Sequence, residues 1–484
     1  MKRKKRIILL LFWTCISASM AQEQTHTGWI TVLWGDQQPD LEWSPAPKIM
    51  LTNDSVALEL VIDAPFLESL GGLQAIHETY AQVSGMTDFR DNGVDRLWVQ
   101  ALLIQRTSDT FRAVSGSQPW ITLPMKFSDV PQEQKNQAYF QGMYSNLPGG
   151  LDHFWREVSY NHIDIVGSLS VDWYTLPHTH SYYVPNPGSG TDADLYALFD
   201  DTIATVDPDI DFSDSGSGPY AGISMMFNEL LDCCAWGGSR WASIDGVAKI
   251  WRVTWEPPWA FNNEAVVAHE MGHGFGLPHA NNFDGDNDPY DNPWDVMSHN
   301  WSYAVENPTY GKLGKHVCAY HKEILGWYHQ ENFIEITEDG YYQVTIDHAA
   351  LASTSNYFAV KIPYGSQGHY YTLETRKKEG NYDANLPADA VLIYQVEPQR
   401  DEPAWLVDED NPPADFADNA GSHWVVGETY TDDTNGIVIS VLQETVNGFV
   451  VAIQIGSCDP SSFMNNLENW PSTKITELLT LLCL

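Results

Sequence analysis

Residues 269–279 read HEMGHGFGLPH, which places three histidines and one glutamate in a single short stretch. His269 and His273 are four residues apart, so a helix would put both imidazoles on one face, where they can reach the same ion. Glu270 would lie about 100° around that helix from His269, positioned to act on water at the metal rather than to bind the metal. The stretch therefore predicts a helix that carries a metal site.

Gly276 and the last histidine complete the pattern. Gly276 allows the chain to leave the helix through a conformation that is costly for other residues, and the turn can then bring His279 back to the same metal. Three neutral imidazoles leave a fourth position for water, which is the arrangement of catalytic zinc. Histidines on helices are usually surface or core residues, but the complete spacing makes a chance match rare. We therefore predict that the three histidines bind Zn2+ and that Glu270 is the general base.

The pattern HExxHxxGxxH resembles the zinc signature of the metzincin peptidases, whose second mark is a methionine turn beneath the metal. Met297, in PWDVMSHN (293–300), stands where that turn is expected. Among the metzincins, the chain is most similar to the immune-inhibitor-A-like, or M6-type, secreted peptidases. This likeness covers roughly residues 116–400 and is carried by segments such as PWITLPMKFSD (119–129), FWREVSYNHIDIVGSLSVDWYTLP (154–177) and AYHKEILGWY (319–328).

The resemblance implies a zinc-dependent endopeptidase in which Glu270 passes a proton from the attacking water to the leaving amine. Some metzincins place a tyrosine two residues after the methionine to stabilise the tetrahedral intermediate, and His299 stands at that position here. His299 is therefore a candidate oxyanion stabiliser, and a surface histidine without this role is the favoured alternative. The alternative function is a catalytically inactive zinc-binding adhesin or carbohydrate-binding protein, which the complete motif with Glu270 disfavours.

An acidic loop, NNFDGDNDPYDNPWD (281–295), separates the third histidine from the methionine. Asp284, Asp286 and Asp288 alternate as they do in a calcium-binding loop, but Pro289 occupies the position where an EF-hand needs glycine. The loop is therefore not an EF-hand. Two interpretations are open for the loop. It forms a Ca2+ site of another kind beside the zinc, or it is a solvated acidic loop without an ion.

The N-terminus is typical of a secretory signal peptide over residues 1–21, with a basic start, an apolar run and a small-residue end. The apolar run Ile7–Trp13 is far shorter than the ~20 residues that span a bilayer, so we expect no membrane insertion after signal removal. The expected location is secreted or periplasmic. A formal net charge of −39 disfavours nucleic acid as a partner and leaves a protein or peptide substrate. Oligomeric state cannot be derived from these patterns.

Strand and helix patterns divide the mature chain into four parts. We predict an N-terminal β-rich accessory or pro region at 22–115, an α/β zincin (metzincin-like) catalytic domain at 116–334, a C-terminal β-sandwich-like domain at 335–457 and a tail at 458–484. Within the first part, the pattern of residues 70–85 favours a helix. Six strand patterns at sandwich-like spacing characterise the third part.

The role of the N-terminal region stays open at this point. No cysteine occurs between residues 22 and 232, so a thiol of this region cannot cap the zinc. An inhibitory region would have to use a carboxylate or steric cover. A permanent accessory domain is the alternative.

Overall fold

The structure is a computed structural model. The predicted signal peptide and tail lie outside the residues that it describes, and none of the helices within those residues is long and apolar enough to cross a membrane. The described residues are 23–38, 43, 45–90, 93–107, 113–213, 220–283, 290–299, 301–409 and 421–456.

The N-terminal region is built mainly from long strands with two short helices. Its apolar side chains form a cluster of their own, which includes Ile30, Val32, Trp34 and Leu51. This region therefore has a hydrophobic core of its own residues, while Leu33 and Met50 belong to a second cluster shared with the middle of the chain. Its elements are β1 (Glu23–Gln37), β2 (Lys48–Thr52), β3 (Ala57–Val61), α1 (Ala64–Ser69), α2 (Leu73–Ile76), β4 (Thr79–Asp88) and β5 (Asp95–Thr107).

The helix predicted over residues 70–85 is wrong for most of its length. Only the four residues of α2 are helical, and the chain enters β4 at Thr79. Along β4 buried residues alternate with less buried ones, and Ala81 and Val83 are fully buried. This is the two-residue period of a strand with one face on a core, and pairing with β1 and β5 outweighs the local helical pattern.

The next region combines a sheet with helices that pack around it. Its elements are β6 (Gly116–Ser117), β7 (Trp120–Lys126), α3 (Gln137–Met143), α4 (Leu151–Val158), β8 (Ile163–Asp164), β9 (Leu169–Ser170), β10 (Tyr174–Thr175), α5 (His180–Tyr183), α6 (Leu195–Val206), β11 (Gly222–Phe227), β12 (Cys234–Ile244), β13 (Val247–Glu256), α7 (Pro258–Phe261), α8 (Glu264–Gly274), β14 (Asn282–Phe283), β15 (Glu306–Asn307), β16 (Gly311–Lys312) and α9 (Ala319–Ile324).

One eleven-stranded sheet runs through both of these regions. Its order is β10-β7-β11-β13-β12-β1-β2-β3-β5-β4, with β9 beside β7. The strands β7, β11 and β13 are parallel, β12 is antiparallel to β13, and β1 is antiparallel to β12. The sheet therefore continues across the domain boundary predicted near residue 115, at the pairing of β1 with β12.

Helix α8 lies against this sheet, and every one of its residues is buried. It carries apolar side chains on several faces, as expected of a helix that is enclosed on all sides. Val267 and Met271 belong to a core cluster that also contains Trp120 and Met297. The histidines of this helix are consequently held in fixed positions relative to the sheet.

The C-terminal region consists of two sheets that share one core, and all six predicted strand patterns form strands. One sheet has the order β14-β22-β21-β20-β19-β17 and the other β18-β25-β24-β23. Val360 and Leu373 of the first sheet and Ile439 and Val451 of the second belong to the same apolar cluster. The elements are a 3-10 helix (Gln330–Asn332), β17 (Phe333–Glu335), β18 (Gly340–Asp347), β19 (Ala359–Tyr364), β20 (His369–Arg376), β21 (Ala390–Val396), β22 (Ala404–Val407), β23 (Thr429–Asp432), β24 (Ile437–Glu444) and β25 (Gly448–Ile455).

Two contacts join the C-terminal region to the middle of the chain. Strand β14, which follows the third histidine, pairs in parallel with β22. The buried side chain of Arg376 donates to the carbonyl oxygens of His316 and Val317, at 3.0 and 3.3 Å, and forms ion pairs with Glu374 and Asp383. Because a buried charge is costly unless paired, this network fixes the C-terminal region next to the loops around α8.

The described cysteines do not form a metal-binding cluster of thiols. Cys233 and Cys234 form a disulfide with each other at the start of β12. Cys318 is buried and has a free thiol.

Replacing Val451 by alanine tests the shared core of the C-terminal sheets. Val451 is fully buried, so Val451→Ala should lower the free energy of unfolding of this region by about 2 kcal/mol through lost burial and a new cavity. The matched control is Val446→Ala, because Val446 is 87% exposed and should change stability very little. Denaturant titration followed by fluorescence compares the two variants, and equal losses would contradict the shared core.

Candidate metal centre

The end of helix α8 is shaped by a glycine turn. Gly276 has a φ of 89°, its N–H donates to the carbonyl of His273 at 2.9 Å, and the N–H of Leu277 donates to the carbonyl of Gly272 at 3.0 Å. These two bonds define a Schellman ending, in which the left-handed residue is usually glycine. The turn also brings the carbonyl of Leu277 within 2.6 Å of Nδ1 of His273.

The hydrogen bonds of the helical histidines fix which ring nitrogens carry protons. Nδ1 of His269 lies 2.6 Å from the carbonyl oxygen of Val296, and Nδ1 of His273 lies equally close to that of Leu277. A carbonyl can only accept, so each Nδ1 carries the proton and each Nε2 of a neutral ring presents a lone pair. Burial lowers the pKa of His273 to about 3, which keeps that ring neutral.

The Nε2 atoms of these rings converge on one point. The Nε2 atoms of His269 and His273 are 3.0 Å apart, and one nitrogen of His279 joins them within the same cluster. A tetrahedral zinc ion with bonds of about 2.0–2.1 Å would hold its ligand atoms roughly 3.3 Å apart. Imidazole nitrogens are common zinc ligands, so the three side chains fit zinc in both chemistry and spacing.

His279 is oriented by residues from the C-terminal region. Its Nδ1 lies 3.7 Å from a carboxylate oxygen of Glu402, and the same carboxylate accepts hydrogen bonds from the Asn281 side chain at 3.0 and 3.1 Å. Burial opposes the charged form of His279, but Asp36 and Glu402 raise its pKa to about 10. A carboxylate behind a ligating imidazole is a common way to orient it toward a metal.

Met297 lies under the helix in the turn that the sequence predicts. Its sulfur lies so close to Gly272 that a Cβ at that position would come within 2.5 Å of it. The two carboxylate oxygens of Asp295 accept from the N–H groups of Met297 and Cys318, both at 2.8 Å. This arrangement holds the neighbouring Val296 carbonyl in position to accept from His269.

A fourth side chain, Asp36, lies among the three histidines. One of its oxygens lies 3.0 Å from Nε2 of His269 and 2.9 Å from Nε2 of His279, and the other lies 3.1 Å from Nε2 of His273. Asp36 comes from the end of β1 in the N-terminal region and is buried. Burial alone would raise the pKa of this carboxyl, but His269 and His279 hold it well below its usual range.

Glu270 lies beside the cluster and keeps its carboxylate buried. Neither of its oxygens has a hydrogen-bond partner among the described residues. Burial, Asp36 and the buried Glu256 raise its pKa well above the usual range. Strand β12 passes close to this side chain, since a Cβ on Gly237 would come within 2.7 Å of Oε2 of Glu270. Gly237 therefore makes room for the proposed base.

The other predicted site residues have different surroundings. Nε2 of His299 lies 2.7 Å from the hydroxyl of Ser302, and the His299 carbonyl accepts from Lys315. Burial and the charge of Lys315 lower the pKa of His299 to about 3, so the ring is neutral. Its role as an oxyanion stabiliser stays a prediction. The predicted calcium ligands, Asp284, Asp286 and Asp288, lie outside the described residues.

Tyr290 is a site residue that the sequence did not identify. Its hydroxyl donates to Asp36 at 2.8 Å, and its ring centroid lies 5.8 Å from that of His279. Its φ of 64° is unusual for a residue other than glycine, and such strained positions often occur at functional sites. Asp36 was missed because no spacing rule links it to a histidine more than 200 residues away. Tyr290 was not predicted, because the aspartates of its loop indicated only a calcium site.

Two other groups of described residues have the composition of a metal site. Asp232 lies beside Cys233 and Cys234, but the sulfurs of those cysteines are joined in a disulfide. Asp295 lies beside Cys318 and His321, but both of its oxygens accept backbone hydrogen bonds. Neither group offers the set of free, converging donors found at the three histidines.

A groove of about 1350 Å³ opens beside His279. One wall belongs to the N-terminal region and includes Pro65 and Leu67, and the opposite wall belongs to the C-terminal region and includes Arg400 and Trp405. The candidate metal centre is therefore reached from a groove between these two regions.

Comparisons with known proteins do not identify a family. No family model matches the chain, and no curated protein matches it. Among solved structures, OgpA from Akkermansia muciniphila matches with 10% sequence identity and a TM-score of 0.26, over 60% of this chain and 92% of that chain. A similarity of this size supports no conclusion about fold or function.

Replacing Gly276 tests the turn that positions the cluster. Gly276→Ala should lower the free energy of unfolding by about 1–2 kcal/mol, because alanine is strained at this positive φ. Gly276→Asn is the matched control, since asparagine tolerates the left-handed region better and should lose less. Thermal unfolding of the metal-free and zinc-loaded chains measures both variants. Equal stability of Gly276→Ala and the wild type would contradict the described turn.

Proposed function

We propose that the chain is a secreted zinc-dependent endopeptidase of metzincin type, similar to the M6-type peptidases. The observation that carries the proposal is the convergence of three buried imidazoles, two of them with Nδ1 hydrogen-bonded to a backbone carbonyl, next to the unpartnered carboxylate of Glu270. A purely structural zinc site has no use for such a carboxylate, because burying it without a partner is costly.

His269, His273 and His279 would hold the ion in this proposal. When bound, a zinc ion would supply Lewis acidity, which lowers the pKa of water and polarises the carbonyl of the scissile peptide. Glu270 accepts a proton from the attacking water and delivers it to the nitrogen of the leaving amine. Burial raises the pKa of the Glu270 carboxyl, which suits both steps, because a carboxylate of low pKa would hold the proton too weakly to deliver it.

Tyr290 would assist the reaction as a hydrogen-bond donor. Its hydroxyl donates to the carboxylate oxygen that contacts His269 and His279, so it is directed at the point where the histidines converge. A donor at that point can stabilise negative charge that develops on the substrate carbonyl oxygen. His299 remains the alternative donor expected from the methionine turn.

A second function is favoured by one specific observation. Asp36 completes a set of four protein side chains around the centre, and zinc sites with four protein ligands are usually structural. If Asp36 is a permanent ligand, the chain would be a zinc-binding adhesin or carbohydrate-binding protein without peptidase activity. The two functions differ in whether hydrolysis appears when Asp36 is removed.

Replacing Glu270 in a chain that lacks the Asp36 carboxylate tests the proposed function. The zinc-loaded Asp36→Ala chain should hydrolyse casein, and addition of a zinc chelator should stop the reaction. Asp36→Ala/Glu270→Gln should be slower by about 10²–10⁴-fold, because the base is lost, while zinc content stays the same. Casein digestion and metal analysis on the same samples measure both effects. A folded, zinc-loaded Asp36→Ala chain without hydrolysis would contradict the proposal.

Replacing Tyr290 by phenylalanine tests the proposed donor in the same background. Asp36→Ala/Tyr290→Phe should lower kcat by about 10²–10³-fold with a much smaller change in KM, because the lost hydrogen bond forms only in the transition state. Tyr182→Phe is the matched control, since Tyr182 is 58% exposed, whereas the histidine cluster is buried. Steady-state kinetics on a fluorogenic peptide separate kcat from KM. An unchanged kcat would contradict the role of Tyr290 as hydrogen-bond donor and leave His299 as the expected donor.

A further inference from the structure

We propose that the N-terminal region, residues 23–107, carries a carbohydrate-binding site on the outer face of β2 and β3. The ligand is a short neutral oligosaccharide, held in a cavity between these strands and a segment of the middle region. The proposal goes beyond the proposed function and does not depend on it, because none of the residues that line this cavity belongs to the candidate metal centre.

The first argument is the strand order of the N-terminal region. Strand β1 pairs with β4 through Glu23–Ile30 and with β2 through Trp29–Leu33. The pairings of β2 with β3, of β3 with β5 in parallel and of β5 with β4 close a five-stranded barrel. Helices α1 and α2 lie between β3 and β4 in the chain. This is the arrangement of the OB-fold, which binds oligosaccharides or oligonucleotides on the face of its second and third strands and the adjoining loops.

The second argument is the chemistry of the side chains on that face. The barrel core contains four residues of β2 and β3, namely Ile49, Leu51, Leu58 and Leu60. Since successive side chains of a strand point to opposite faces, Lys48, Met50 and Glu59 point out of the barrel. Met50 and Glu59 are directly opposite each other in the pairing of the two strands. The outer face therefore presents a cation, an apolar side chain and a carboxylate side by side.

The third argument is a cavity of about 510 Å³ on this outer face. Arg90, Gly93 and Val94, from the connection between β4 and β5, line it together with β2 and β3. This connection is one of the loops that an OB-fold uses with that face. The opposite wall lies within residues 185–196 of the middle region. Pockets for small ligands measure about 300–1,000 Å³ and often lie between domains, so both the size and the position suit a ligand.

The fourth argument is the balance of charge in the cavity. The ammonium group of Lys48 donates to the carbonyl oxygen of Thr191 at 2.9 Å, and the guanidinium group of Arg90 lies 3.4 Å from the carboxylate of Glu59. The lining includes two lysine or arginine side chains and three aspartate or glutamate side chains. An oligonucleotide needs an excess of cations for its phosphates, so this lining favours a neutral ligand.

Asp192 supplies an unused acceptor at the same cavity. Its Oδ2 accepts from the side chain of Asn186 at 2.7 Å, whereas its Oδ1 is buried without a hydrogen-bond partner among the described residues. A hydroxyl group both donates and accepts, so a sugar can donate to Asp192 and accept from Arg90. Leu33 and Met50 add apolar surface for the C–H groups of the sugar ring. A ligand with several hydroxyl groups fits this mixed lining.

Binding to an array of immobilised neutral oligosaccharides, with an oligothymidylate on the same array, tests the proposal on the full chain without its signal peptide. The oligosaccharide with the strongest signal is then titrated by calorimetry. Arg90→Ala removes a donor, Asp192→Asn replaces the unused acceptor, and Thr191→Trp fills the cavity but keeps the carbonyl that Lys48 uses. The matched controls are Arg106→Ala and Asp54→Asn, at exposed positions of the same barrel outside the cavity.

Arg90→Ala and Asp192→Asn should each weaken oligosaccharide binding by about 10-fold or more, because each loses a hydrogen bond to a charged group. Thr191→Trp should abolish binding, and both controls should bind like the wild type. Thermal unfolding checks that each variant is folded. The proposal is overturned by an array without oligosaccharide binding, by binding of the oligothymidylate alone, or by unchanged affinity in all three folded cavity variants.

The peptidase proposal and this one fail in different ways. Glu270→Gln should bind the oligosaccharide as tightly as the wild type, because Glu270 does not line the cavity. Oligosaccharide binding by a chain that does not hydrolyse casein supports the carbohydrate site and contradicts only the peptidase. Casein hydrolysis without oligosaccharide binding supports the peptidase and contradicts only the carbohydrate site.

Discussion

The structure around helix α8 depends on how two imidazoles are held. Backbone carbonyls of Val296 and Leu277 accept from the Nδ1 atoms of His269 and His273, which leaves the Nε2 atoms facing each other at 3.0 Å in a buried space. A proton or a metal cation between the nitrogens stabilises such an arrangement. The turn at Gly276 and the methionine turn supply the two carbonyls, so these local features serve the same electrostatic requirement.

The same requirement explains why three parts of the chain meet at one point. The middle region supplies the histidines, the C-terminal region supplies Glu402 behind His279, and the N-terminal region supplies Asp36 in front of all three. A carboxylate is attracted both by a bound cation and by protonated imidazole, so Asp36 stabilises the closed centre in either case. Strand pairing between β1 and β12 adds a backbone contribution that does not depend on the metal. The pairing of β1 with β12 thus both extends the long sheet and brings Asp36 to the three histidines.

Local parts of this centre could be predicted from sequence, and its long-range parts could not. The spacing of His269 and His273 determines their helical face, and a glycine at 276 signals the turn, because both depend on the geometry of neighbouring residues. Asp36 reaches the cluster only through strand pairing over some 200 residues, for which one sequence contains no signal. The helix expected over residues 70–85 became mostly strand because pairing with β1 and β5 outweighed the local pattern. The zincin-like fold class and the M6-type resemblance remain predictions from the sequence.

X-ray absorption at the zinc K-edge tests the central claim, that the three histidines form a zinc centre, most directly. Zinc added to the full chain should bind one ion per chain and show nitrogen and oxygen neighbours at about 2.0–2.1 Å, with the outer-shell scattering of three imidazole rings. Conversion of His269, His273 and His279 to alanine together should abolish that signal. A sulfur shell at about 2.3 Å, or an unchanged spectrum in the triple variant, would contradict the account.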